Sequence, residues 1–304
     1  AFLPVIVNAL VPMADMGKVI QNYSSETIML LLGASIISVS WEETGVDRRI
    51  AAHFLKRVGS GFRGQIVFWY LLTALLSSIL PNAVVCATVT PIAVSMLKFA
   101  GEGEVGKSPV ASKLLLTIVY AAGVGGLATP LGGAMNLVTV DYIQKLTGRE
   151  YMYVDWVVRM LPVMVVVIVS NILFMLRNVG RGTQIGGSRE YFEREWSSLP
   201  PMRREEKLAL AFFALATTLA FTRQFYKDLL PGLKPAYSFL ACAGMCFLVA
   251  RHDGGRLMVW RSVQKKIVWE MIYIFAGGMA LGTLINASGA AGAIGGAVAK
   301  VGAT

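Results

Sequence analysis

Leu75-Leu76-Ser77-Ser78-Ile79-Leu80-Pro81-Asn82-Ala83 lies in the middle of an apolar run that extends over residues 65–99. One membrane crossing takes about 20 residues, so this run is too long for a single span. The Ser77-Ser78 pair and the Pro81-Asn82 step divide it into two arms. A second apolar run, 114–140, is interrupted by Gly123-Val124-Gly125-Gly126-Leu127-Ala128-Thr129-Pro130-Leu131-Gly132-Gly133. Broken helices persist at membrane depth only where protein or a water-filled cavity surrounds them. Further apolar runs occupy 27–41, 156–176, 208–222, 236–250 and 267–285, and a run at 1–14 is too short to cross.

The composition points the same way. The 304 residues are 55% apolar and only 15% charged, with a mean hydropathy of +0.61. Soluble chains carry about 25% charged residues. Yet 28 Lys and Arg stand against 18 Asp and Glu, a net charge of +10. Such hydrophobicity excludes disorder and argues against a soluble nucleic-acid binder. It fits a membrane protein with basic loops.

Those charges also choose between two crossings and a hairpin at 65–99. If the run dips in and returns, the segments 48–63, 98–113, 177–207 and 251–266 share one side and hold 20 Lys and Arg, against 7 in the segments opposite. Two full crossings would invert the downstream loops and destroy that asymmetry. The positive-inside rule therefore favours a re-entrant hairpin with 48–63, 177–207 and 251–266 cytoplasmic. The expected location is a bacterial inner membrane. Arg48 to Val58 is amphipathic and reads either as an interfacial helix or as an ordinary charged loop helix.

An internal similarity appears at an offset of 244. Leu32-Gly33-Ala34-Ser35-Ile36-Ile37 aligns with Ala276-Gly277-Gly278-Met279-Ala280-Leu281, Gly45 with Gly289, Ile50 with Ile294 and Lys56 with Lys300. The charge partition runs the two copies in opposite directions. An inverted repeat with broken helices is the signature of a secondary transporter, its site near the midplane. The same offset puts partners of the hairpin and the broken span near residues 326 and 373, so the chain is expected to be a fragment with an incomplete second repeat.

The chemistry at the breaks is uncharged. Ser77, Ser78 and Asn82 lie at one, Thr129 and Asn136 at the other, with no Asp or Glu in either. Hydroxyl, amide and carbonyl oxygens suit a hard cation such as sodium, and helix N-termini attract anions. Intramembrane carboxylates, which proton exchange usually needs, are missing from both breaks. The glycines there serve either ligand approach or helix packing. The three cysteines, Cys86, Cys242 and Cys246, all sit in apolar runs and read as small buried hydrophobes.

At these residues the chain resembles the divalent anion:sodium symporter family of the ion-transporter superfamily. The resemblance runs through Trp41-Glu42-Glu43-Thr44-Gly45, the hairpin segment quoted above, and Tyr120 to Leu137. It implies a homodimer of scaffold and transport domains that moves by an elevator mechanism. It also implies substrate contacts at Asn82, Ala83, Thr129, Gly132, Gly133 and Asn136, and sodium contacts at Ser77, Pro81, Asn82 and Ala128. Pro81, Ala83, Ala128 and Gly133 stand where the family pattern has Ser, Thr, Gly and Thr. Two hydroxyls are thereby lost at the hairpin tip, a change expected to alter specificity.

The resulting expectation is an all-α polytopic membrane protein that couples sodium to symport of a small anion, a di- or tricarboxylate or sulfate. Residues 1–64 would be scaffold-type helices, 65–140 the transport-type hairpin and broken helix, 141–207 the last span and basic linker of the first repeat, and 208–304 the start of the second. An arsenite-type permease or a sodium/proton antiporter of the same superfamily is the alternative; a non-transporting membrane scaffold is more remote. No nucleophile–base constellation supports an enzyme. No metal beyond sodium and no nucleic acid is expected. Gly101 to Ser108 matches the phosphate-loop pattern letter for letter, but a membrane arm precedes it and Pro109 follows, so no nucleotide is expected either.

Overall fold

The computed structural model describes residues 1–55, 57–102, 107–177, 179–180, 182–251 and 254–293. Among them the chain is helical. The elements are α1 (Leu3–Leu10), α2 (Met16–Gln21), α3 (Glu26–Thr44), α4 (Val46–Leu55), α5 (Phe62–Ser77), α6 (Asn82–Phe99), α7 (Pro109–Gly125) and α8 (Ala134–Thr147). They continue with α9 (Tyr153–Leu176), α10 (Ser188–Ser198), α11 (Arg204–Phe221), α12 (Arg223–Tyr226), α13 (Pro235–Leu248), α14 (Trp260–Lys266) and α15 (Trp269–Ala287). The extended pairing described is limited to two isolated bridges, Gly61 with Gln184 and Ala250 with Arg256.

Local chemistry sets the ends of these helices. Ser25 caps α3 by accepting from the Ile28 amide, and Gly45 ends it with φ of 81°, donating to Trp41 O at 2.8 Å. Ser108 caps α7 and Pro109 opens it; residues 103–106 of the phosphate-loop match lie outside the described residues. Among the described residues four helical stretches are long and apolar enough to cross a membrane: Met16–Thr44, α6, α9 and α15. The most apolar stretch of α9 buries nothing against the protein. Val158, Val166 and Phe174 on it are exposed, as suits a helix long and apolar enough to cross a membrane.

Two cores hold the bundle. One joins α3, α11 and α13 around Ile37, Ala216 and Phe239; the other joins α5, α6, α7 and α10 around Trp69, Val89, Leu114 and Phe192. Glycine sets the closest approaches. A Cβ on Gly33 would sit 2.8 Å from Leu240 N, and one on Gly125 would overlap the Ala74 carbonyl. Gly123 and Gly125 are thus helical, and the second break begins only at 126, later than the sequence suggests. At Gly125, close packing against α5 explains the glycine.

The two ends of the bundle differ in charge. At one end Arg48 pairs with Glu195, Arg49 with Glu206 and with Pro200 O, and Arg203 donates to Thr44 O at 3.1 Å. Lys266 joins the same end through Glu42 and Glu43, at 2.8 and 2.9 Å. Lys113 Nζ donates to Arg177 O at 2.6 Å. The described parts of the four basic segments therefore gather together. At the other end Arg223 pairs with Glu150 at 2.9 Å and Lys234 with Glu26 at 2.7 Å. His53 lies inside α4, its ring against Trp196.

Both arms of the hairpin start from the basic end. Phe62 N donates to Thr183 O at 2.9 Å, and the Phe99 ring lies 5.6 Å from that of Tyr191. The helix pair α7–α8 instead runs from Lys113 at the basic end to Glu150 at the other. α15 runs opposite to α3: Lys266, just before it, meets the end of α3, and Thr283 meets Asn22, just before α3 begins, at 3.0 Å. Both have 19 residues, and Gly45 and Gly289 follow them with φ of 81° and 76°. The aligned Lys56, Ile294 and Lys300 lie outside the described residues.

α4 is tied to the hairpin by a buried carboxylate. Asp47 accepts from Thr88 Oγ1 at 2.8 Å and from the Arg48 amide at 2.7 Å. Burial pushes its carboxyl above the ordinary aspartate range, and the Thr88 bond opposes that rise. The folded chain keeps this proton to higher pH than the unfolded chain, so stability falls as pH climbs from about 3.9 through the raised folded value. Asp47→Asn should therefore melt higher than the parent near pH 7 but not below about pH 4, as followed by thermal unfolding in detergent micelles. In the same assay Gly125→Val should lose about 1–3 kcal/mol of stability by forcing α5 and α7 apart; unchanged melting would rule out this contact.

Candidate functional site

The two interruptions meet in space. The first, residues 78–81, closes α5 through Leu80 N to Leu76 O at 2.8 Å. Pro81 then takes an extended conformation and starts α6. The second, residues 126–133, separates α7 from α8. Thr129 joins them: its hydroxyl donates to Ser78 O at 2.6 Å and accepts from Gly132 N at 3.1 Å.

Asn82 makes the central bond. The carbonyls of Gly132 and Ala122 face its amide, so the NH₂ end points inward. Its two protons are shared among three acceptors, Gly132 O at 2.7 Å, Ala122 O at 3.1 Å and Ser77 Oγ at 2.6 Å. The Ser77 hydroxyl donates in turn to Ala122 O at 2.7 Å. Asn136, from the first turn of α8, reaches back across the break and donates to Gly126 O at 2.7 Å and Thr129 O at 2.8 Å. Ser77 and Asn136 are both buried.

Carbonyl oxygens crowd this junction. Gly126 O and Ser77 O fall 2.6 and 2.7 Å from where a Cβ on Gly132 would sit. A Cβ on Gly126 would lie 2.6 Å from the Asn82 amide. Only glycine fits at 126 and 132. Ala128 is buried in the same loop, its amide bonded to Gly125 O at 3.1 Å. Gly133 is the N-cap of α8 and lies beside the Asn136 side chain. Neither Pro81 nor Gly133 caps its helix with a side chain, so the first turns of α6 and α8 have no side-chain cap.

Ser77, Asn82, Ala128, Thr129, Gly132, Gly133 and Asn136 thus come together. Pro81 and Ala83 face elsewhere, into a cavity between the hairpin tip, α3 and the start of α15. Sequence reasoning missed Trp156, whose Nε1 donates to Leu127 O at 3.0 Å and holds the break from α9. The available signal was an indole at the start of a span beside a break rich in carbonyls. The bond from Asp47 to Thr88 was missed as well, since nothing in the spacing links them. Among the described residues no cluster of His, Cys, Asp and Glu could hold a metal ion.

Apolar helices with interior breaks bonded to one another define an all-α polytopic membrane protein. The family description for citrate transporters matches residues 1–304, and the chain belongs to that family, one of transporters rather than enzymes. It is 26% identical to a membrane protein of Cupriavidus necator, over 90% of this chain and 52% of the relative. It is 26% identical to sodium-dependent high-affinity dicarboxylate transporter 3 of Caenorhabditis elegans, over 99% of this chain and 60% of the relative. A sodium-dependent dicarboxylate transporter of Staphylococcus saprophyticus is 25% identical over 97% of this chain and 59% of its own. The chain spans between half and three-fifths of the length of these relatives.

Asn136→Ala would leave Gly126 O and Thr129 O without their donor, at about 1–3 kcal/mol for each group left unpaired. Amides of 126–133 should then exchange hydrogen at least about ten-fold faster by mass spectrometry, with α11 and α13 unchanged. Exchange at the parent rate would mean that Asn136 does not hold the break.

Proposed function

We propose that this protein is a secondary active transporter that couples sodium to the movement of a small carboxylate anion. The observation that carries this is the junction of two helix breaks at which an amide, hydroxyls and converging carbonyls meet the first turns of α6 and α8, which have no side-chain cap. Uncharged oxygens suit a hard, monovalent cation, and the helix N-termini suit an anion. Sodium would be held by Ser77, Asn82 and the backbone at Pro81 and Ala128. The substrate would be held by Asn82, Thr129, Gly132, Gly133 and Asn136. The printed names of the nematode and staphylococcal relatives, both sodium-dependent dicarboxylate transporters, support the coupling ion and the anion class.

The packing supports a mechanism with one moving part. Residues 1–64 and 208–304 form the scaffold in this reading, and 65–140 carry the hairpin and broken helix that move against it, as an elevator. Residues 141–207 return the chain and bind the basic end together. The opposed α3 and α15, equal in length and each followed by a left-handed glycine, support an inverted repeat. A homodimer in a lipid bilayer is the expected assembly, with the basic end cytoplasmic. The absence of Asp and Glu from both breaks favours this over proton exchange.

Full-length protein in proteoliposomes should accumulate labelled carboxylate only with an inward sodium gradient. Asn82→Ala should abolish that uptake, by at least about 100-fold if about 3 kcal/mol of ligand contact is lost, while inserting normally. Accumulation driven by protons alone, or near-normal transport by the variant, would refute this assignment.

A further inference from the structure

Holding a cation and holding an anion make opposite demands on one side chain, and the transport reading above gives both to Asn82. A carboxamide meets each demand with one end only: its oxygen accepts and can ligate a hard cation, its NH₂ donates and suits an anion. The group is planar and carries both ends on one carbon, so when one end faces inward the other faces away. The inner end of Asn82 meets Gly132 O at 2.7 Å, Ala122 O at 3.1 Å and Ser77 Oγ at 2.6 Å. An amide oxygen turned toward two carbonyls is repelled, whereas the NH₂ is attracted. A cation lodged among the same atoms reverses that preference, because the amide oxygen then joins Gly132 O, Ala122 O and Ser77 Oγ around one positive charge.

The neighbours accommodate both orientations. Ser77 accepts from the NH₂ while donating to Ala122 O at 2.7 Å, and over the same 2.6 Å it can donate to the amide oxygen when that end is inward. Gly126 leaves room for the turn: a Cβ there would stand 2.6 Å from one end of the amide and 3.1 Å from the other. Asn82 is half-buried, and the terminal torsion of an asparagine is broad and roughly two-fold. We propose that the Asn82 amide is a two-position switch: without sodium its NH₂ faces Gly132 O, Ala122 O and Ser77 Oγ, and sodium turns it by half a rotation, so that the oxygen ligates the ion and the NH₂ faces the carboxylate. This rests on the transport reading above and supplies its coupling step. Before the turn an incoming carboxylate meets an oxygen, which repels it; after the turn it meets a donor. Sodium and the anion therefore favour the same orientation of one side chain, and each raises the affinity for the other by the same factor.

The turn can be followed by NMR of the purified full-length protein in detergent, its asparagines labelled with heavy nitrogen. The Asn82 NH₂ signals are those missing from Asn82→Ala. In potassium chloride these protons, bonded inward, should exchange slowly with water. Replacing potassium by sodium should speed their exchange at least about ten-fold, and adding succinate should slow it again. Calorimetry on the same samples measures the binding of sodium and of succinate. Sodium binding with unchanged Asn82 exchange would overturn the switch and leave the transport reading standing; no binding of sodium would overturn both. Asn82→Asp, with an oxygen at each end, should still bind sodium but bind succinate at least about ten-fold more weakly at saturating sodium. Succinate held by this variant as tightly as by the parent would mean that the NH₂ does not face the anion, and would also overturn the switch.

Discussion

The fold turns on the side-chain amide of Asn136. A helix that stops inside an apolar bundle leaves carbonyls without donors, and in hydrocarbon each such group costs several kcal/mol. Asn136 answers two of them, Gly126 O and Thr129 O, with the two protons of one NH₂ group. Asn82 does the same from the hairpin side for Gly132 and Ala122. Each amide belongs to the helix that begins after one break. Each reaches carbonyls of the 122–132 stretch, so neither break is satisfied by its own helix alone. The hairpin and the broken span are for this reason one cooperative unit, and glycine at 126 and 132 is the steric condition for bringing their backbones together.

Charge does comparable work at the two ends of the bundle. Arg49 and Arg203 converge on the buried Glu206, and Arg203 also takes up the last carbonyl of α3. Arg223, almost fully buried, satisfies Glu150 together with the carbonyls of Leu230 and Pro231. These are guanidinium sites in which several planar donors are used at once, and lysine could not replace them. The interior between the two ends is held instead by apolar packing and by backbone contact at glycine.

Much of this was legible in the sequence, and the limits have physical reasons. The hairpin was readable because an apolar run well over the length of one crossing must turn somewhere, and Pro81-Asn82 marks the place. The grouping of basic segments was readable because insertion leaves a statistical record in loop charge. The extent of the second break was not: Gly123 and Gly125 look like Gly126 in the sequence, yet both stay helical, and at Gly125 the reason is the close approach of α5, which has no signature in the sequence. Ser77, Asn82, Thr129 and Asn136 were identifiable as polar residues at breaks. That they bond chiefly to backbone and to each other was not, since backbone acceptors have no letter in the sequence. The separation of Pro81 and Ala83 from the rest of the junction depends on the direction in which α6 leaves the tip, which only the three-dimensional arrangement supplies.

The mutual satisfaction of Ser77, Asn82 and the carbonyls around them has a consequence for the unloaded protein. A carrier of the kind proposed must complete half of each cycle empty. Polar groups stripped of ligand normally drag water with them or resist passage through an apolar surround. Here the groups proposed to grip a passenger also bond to one another, so the proposed carrier would have partners for them on the empty leg. Loading then exchanges one closed set of bonds for another. Affinity is reduced by the strength of the bonds given up, and in return the empty leg of the journey meets a lower barrier. In the proposed carrier the grip on the cargo and the speed of the return would be set by the same few hydrogen bonds.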